Sequence, residues 1–72
     1  MNDRAYQCGQ RVRATRTAAG ITPGELATLL GVTRGAVSQW ETGRNLPALH
    51  KQHAIAATLK CDWTYLFGQE AA

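Results

Sequence analysis

Residues 22–43, TPGELATLLGVTRGAVSQWETG, constrain the fold of this chain more than any other stretch. Thr22 reads as an N-cap, Pro23 as the first helical residue, and Glu25 completes a T-x-x-E capping box. Leu26, Ala27, Leu29 and Leu30 supply an apolar face. Gly31 follows, suited to the left-handed turn that ends a helix. Val32 plugs the corner, and Thr33 caps a second helix. In that second helix Val37 and Trp40 are three apart and share one face. Arg34, Gly35 and Ser38 point elsewhere. A short helix held by its back, with a small polar front, suits insertion into the major groove of DNA.

The punctuation continues outside this segment. Gly20, Gly31, Gly43 and Gly68 each follow a helical pattern, and Pro23 and Pro47 stand where helices can begin. The pattern predicts five helices over about 4–19, 23–30, 34–42, 47–59 and 62–67, with no alternating strand pattern and no repeat. The first carries Cys8, Val12, Thr15 and Ala19 at helical spacing. Arg4, Arg11, Arg13 and Arg16 occupy its other faces. The fourth directs Leu49, Ile55, Ala56 and Leu59 inward. In the fifth, Asp62 is the expected cap and Trp63 and Leu66 the inward residues. The expected architecture is all-α and compact, with one domain over 1–68. Residues 69–72 read as a tail or a truncated linker.

Seventy-two residues suffice for one domain, and a chain this short buries only about 60% of its unfolded surface. Apolar residues make up 44%, as in globular rather than disordered chains. The net charge of +3 and pI near 9.3 favour an acidic partner such as a phosphate backbone. No apolar run approaches the length needed to span a membrane, and the polar start MNDRAYQCGQRVR lacks the apolar stretch of a signal peptide. Cys8 and Cys61 lack the spacing of a disulfide framework or a metal site, so small buried thiols in a reducing cytoplasm are expected.

The segment resembles the helix-turn-helix of the lambda-repressor-like (Cro/repressor, or XRE) family of phage and bacterial regulators. Glu25, Leu26, Ala27, Leu30, Gly31, Val32, Val37, Gln39, Trp40, Glu41 and Gly43 carry the likeness. It extends from about Gly9 to Gly68, and the V-S-Q-W-E-x-G run is especially like temperate-phage repressors. The resemblance implies a five-helix domain that binds double-stranded operator DNA as a homodimer, at least when on DNA. It implies that Arg16 and Glu41 join the first helix to the end of the recognition helix. It also implies dimerisation through the last helix, where Tyr65 and Phe67 are the candidate surface; the alternative is that both cover the monomer's core. The chain reads either as a complete Cro-like regulator or as the DNA-binding domain of a longer one.

Arg34 is the first candidate for base reading, because a guanidinium there can bond bidentately to guanine. Gly35 either lets the backbone approach the bases, leaves one base pair unread, or is simply a tolerated glycine. Ser38 can reach a base or a phosphate, and Gln39 matches a position that sometimes contacts the groove. Thr22, Thr33, Arg44, Asn45 and Lys51 are the candidates for contacts to the DNA backbone. The family often has Gln where this chain has Pro23, and an apolar residue where it has Gln52.

Catalysis finds little support. His50 and His53 are three apart but lack a third metal ligand, Ser38 has no evident base, and there is no glycine-rich phosphate loop. No cofactor, metal or small-molecule substrate is expected. Two rivals to a repressor stay open: an antitoxin that binds its operator and a toxin protein, and a protein-interaction module that has lost DNA binding.

Overall fold

The computed structural model of the protein describes residues 3–68. Residues 69–72, expected as a tail, lie outside the described range. The helices are α1 (Asp3–Ala18), α2 (Pro23–Leu30), α3 (Arg34–Glu41), α4 (Leu49–Leu59) and α5 (Trp63–Phe67), with no strand among the described residues.

Every helix contributes at least one fully enclosed side chain to a common core. Val12 comes from α1, Leu26 from α2, Val37 from α3, Ile55 from α4, and Leu66 and Phe67 from α5, all at 0% exposure. Removing any helix would therefore open the core of all the others. Phe67, expected at a dimer contact, is thus a core residue with no surface to offer. Arg4 near the start of α1 donates to the Phe67 carbonyl, which ties the end of α5 against α1.

Local chemistry sets the ends of α2 and α3. The Thr22 hydroxyl accepts from the Glu25 N–H at 3.1 Å, and the Thr22 N–H donates to the Glu25 carboxylate at 2.8 Å. Gly31 adopts φ +69, a left-handed conformation that L side chains rarely take. Thr33 then accepts from the Ala36 N–H at 3.1 Å and opens α3.

Other ends differ from the expectations. The chain is extended at Ala48, so α4 starts at Leu49, two residues after Pro47. Its buried stripe begins at Gln52, and Leu49, expected inward, is 61% exposed at the open end of the helix. On α2, Leu29 is 62% exposed. At 100° per residue it points roughly 160° away from buried Ala27, so the inward face is narrower than the apolar run. Asp62 occupies the cap position of α5, but its side chain makes no capping hydrogen bond. Ala19, expected on the inward face of α1, is exposed beyond the helix end. Cys8 is buried and Cys61 half-buried, and both are free thiols.

Gln52 resolves the departure from an apolar residue. It is buried, yet its amide donates to the Pro47 carbonyl at 2.9 Å and accepts from the Trp63 indole N–H at 3.0 Å. The polar cost of burial is met at both ends of the amide. His53 stacks on Trp63 with ring centroids 5.3 Å apart, so one indole receives α4 on its edge and on its face.

Candidate nucleic-acid interface

The exposed face of α3 is defined by what holds its back. Val37 and Trp40 are buried between helices, while Arg34, Gly35, Ser38 and Gln39 are exposed. The Val32 N–H donates to the Ala27 carbonyl at 3.0 Å and closes the corner before the helix. The C-terminal end of α3 is tied to α1 by three independent contacts. Arg16 meets Glu41 through two charge-assisted hydrogen bonds, at 2.7 and 3.1 Å. Gln10 donates to the Glu41 carbonyl at 3.3 Å. Gly9 lets the backbones approach so closely that an added Cβ would stand 2.2 Å from the Trp40 carbonyl oxygen. Arg16 also donates to the Ile21 carbonyl at 2.7 Å, so one guanidinium fixes the entry to α2 and the exit from α3.

The surrounding candidates fall into three groups. Thr22 and Thr33 are exposed at the N-termini of α2 and α3, where both serve as caps. Arg44 and Asn45 are exposed in the loop after α3. Asn45 donates from its side chain to the Gln39 side-chain oxygen at 2.8 Å, so a base-reading candidate and a backbone candidate form one unit. Lys51 is half-buried and its ammonium lies 3.4 Å from the Leu30 carbonyl. That places a cation at the negative end of the α2 dipole and leaves two of its three donors for another partner.

One further basic residue, outside the candidates from the sequence, stands near α3. Arg13 of α1 lines a cleft together with Arg34, Ser38 and Thr42 of the α3 region, with Pro23 on the α2 side and the Arg16–Glu41 pair at its wall. The signal was helical spacing. Arg13 stands three residues before Arg16, so anchoring Arg16 to α3 carries Arg13 to the same side.

Among the described residues, Glu25 is the group whose acidity the structure shifts clearly. The Thr22 backbone N–H, and secondarily the Thr22 side chain, hold its carboxyl below the usual carboxylate value. Among the described residues no cluster of His, Cys, Asp or Glu could hold a metal, and no helix is long and apolar enough to cross a membrane.

Comparison with known proteins places this arrangement. A family model described as a helix-turn-helix domain matches residues 7–63, spanning α1 to the start of α5. The chain belongs to the lambda-repressor-like, or XRE-type, helix-turn-helix family. Members of this family are DNA-binding regulators rather than enzymes. Among curated relatives it is 34% identical to the HTH-type transcriptional regulator DicA of Escherichia coli K12 over 71 residues. That match covers 97% of this chain and 53% of DicA, so the chain spans about half of DicA's length. Among solved structures, the restriction-modification controller protein C.AhdI from Aeromonas hydrophila superposes with a TM-score of 0.86 at 32% identity. It covers 92% of this chain and 100% of the controller. The P22 c2 repressor in complex with a synthetic operator superposes with a TM-score of 0.81, also at 32% identity, over 88% of this chain and 96% of the repressor. The chain's five helices form the fold of lambda/434-like repressor DNA-binding domains.

Proposed function

We propose that this chain is a sequence-specific transcriptional repressor that lays α3 in the major groove of an operator. The carrying observation is the division of α3 into a fixed back and an open front. Val37, Trp40 and Glu41 are buried or anchored, and Arg34, Gly35 and Ser38 stand exposed. Arg34 at the N-terminal end of the helix reads guanine through O6 and N7, worth about 1–3 kcal/mol of discrimination. Ser38, one turn on, and the Gln39–Asn45 unit supply further polar contacts. Thr22, Thr33, Arg44 and Lys51 hold the DNA backbone. The similar P22 c2 repressor, solved with operator DNA, supports this reading.

A module of this size makes few contacts, so two copies act on a two-fold operator, with half-sites about one helical turn apart. Tyr65, 46% exposed on α5, is the aromatic that remains for the contact between copies. Occupancy of the operator then blocks polymerase.

Selection of sites from a random DNA pool tests the reading. Enrichment of one sequence with two-fold symmetry, bound by two chains per duplex in sedimentation, is the expected result. A pool that stays unenriched would refute sequence-specific binding. One chain per symmetric duplex at saturation would refute the dimer.

A further inference from the structure

The cleft between α1 and α3 has an unbalanced charge. Three arginines, Arg13, Arg16 and Arg34, and one carboxylate, Glu41, line it. Arg16 and Glu41 neutralise each other through their two short hydrogen bonds. Arg13 and Arg34 are exposed and form no ion pair among the described residues. Two full positive charges from different helices therefore face the same opening, with the Ser38 hydroxyl beside them.

The α2 wall of this cleft is poor in donors. Pro23, the residue α2 contributes to the lining, has no N–H and no polar side chain. The side-chain donors that line the cleft therefore come from α1 and the α3 region. The positive end of the α2 dipole still favours negative charge at that wall. The cleft also adjoins the exposed front of α3, since Arg34 and Ser38 belong to both.

We propose that Arg13 is a DNA-backbone contact, and that this cleft seats one phosphate of each half-site between α1 and α3. The inference rests on the reading of α3 as the recognition helix. Arg13 supplies from α1 the side-chain donor that Pro23 cannot. Arg16 beneath it serves as a positioning residue, because its bond to Glu41 sets the width of the cleft. Arg34 borders the phosphate and reaches onward to a base edge, so backbone and base contacts share one boundary.

The test uses the full chain on its selected operator. Arg13→Gln should lower the slope of log affinity against log salt by about 0.9 per half-site. Between 50 and 200 mM salt that slope amounts to about 3.5-fold per lost contact. Its base preferences should match wild type, and its melting should too, because the side chain is exposed. Arg13→Lys should restore most of the slope. Neutral methylphosphonates placed singly along the operator should weaken wild type at several phosphates per half-site, and one of these, the phosphate in the cleft, should no longer matter to Arg13→Gln. An unchanged salt slope, or the same methylphosphonate map for both proteins, would overturn the assignment of Arg13 while leaving the reading of α3 intact. Failure of wild type to select any sequence would overturn that reading and this inference with it.

Discussion

Arg16 on α1 and Glu41 at the end of α3 form a two-point ion pair whose side chains are only 10% and 8% exposed. Neither charge has water to fall back on, so the pair fixes the angle at which α3 leaves the body of the protein. Attraction and desolvation nearly offset each other in such pairs, whereas a lone buried charge is costly. Arg16→Ala should therefore cost about 3–5 kcal/mol in urea unfolding. The double replacement Arg16→Met with Glu41→Leu should recover most of that loss. A single variant within about 1 kcal/mol of wild type would show that the pair does not hold α3.

Gly9 makes the same junction possible by absence. A Cβ at this position would stand 2.2 Å from the Trp40 carbonyl oxygen and 2.9 Å from that of Glu41. Backbone cannot yield as a flexible side chain does, so α1 would have to move away from α3. Gly9→Ala should destabilise by about 3 kcal/mol or more, against the small helical gain alanine ordinarily brings. A melting temperature at or above wild type would mean that α1 crosses α3 at a greater distance.

Gln52 gives a prediction opposite to the usual hydrophobic rule. Gln52→Leu puts a more apolar side chain in a buried place but strips the Trp63 N–H and the Pro47 carbonyl of their partners. Each unpaired buried group costs about 1–3 kcal/mol, so the variant should lose about 2 kcal/mol net. Adding Trp63→Phe removes the orphaned indole N–H and should return part of the loss. Stability that rises in the single variant would show that the amide bonds contribute nothing.

What was readable in the sequence follows from the range of each interaction. Thr22, Gly31 and Thr33 act on groups within a few residues of themselves, and their roles follow from local spacing. Gly9, Gln52 and Phe67 are defined by partners 31 or more residues away, 5 to 11 away, and 63 away respectively. No local pattern encodes those distances. The start of α4 differs from the expected Pro47 for a related reason. Pro47 suits a first helical turn, but its carbonyl is engaged by Gln52 and the extended Ala48 separates it from the helix. In the interface, Arg34, Gly35 and Ser38 were legible because burial of Val37 and Trp40 leaves them outward. Arg13 needed a further step, because its spacing from Arg16 puts it on the α3 side only once Arg16 is joined to Glu41.

Glu25 links the α2 N-terminus to pH. Its folded value is lowered by its bonds to Thr22, so its contribution to stability is present above the ordinary carboxylate range. That contribution is lost as pH falls through the lowered value. The Glu25 carboxyl should titrate by NMR below the same residue in an unfolded T-P-G-E peptide. Glu25→Gln should flatten the loss of helix stability on acidification. Equal midpoints in protein and peptide would rule out a formed capping box in solution.

The central claim is that α3 reads bases and that Arg34 leads the reading. Sites selected from one random DNA pool by wild type and by Arg34→Ala test it most directly. Arg34→Ala should lose its preference at one base pair per half-site, a change of about 1–3 kcal/mol there, and keep the spacing and symmetry of the site. Arg44→Ala, run beside it, should weaken all sequences alike and lower the salt slope. Selected sites that are identical for wild type and Arg34→Ala, base for base, would contradict the placement of α3 in the major groove with Arg34 at its leading edge.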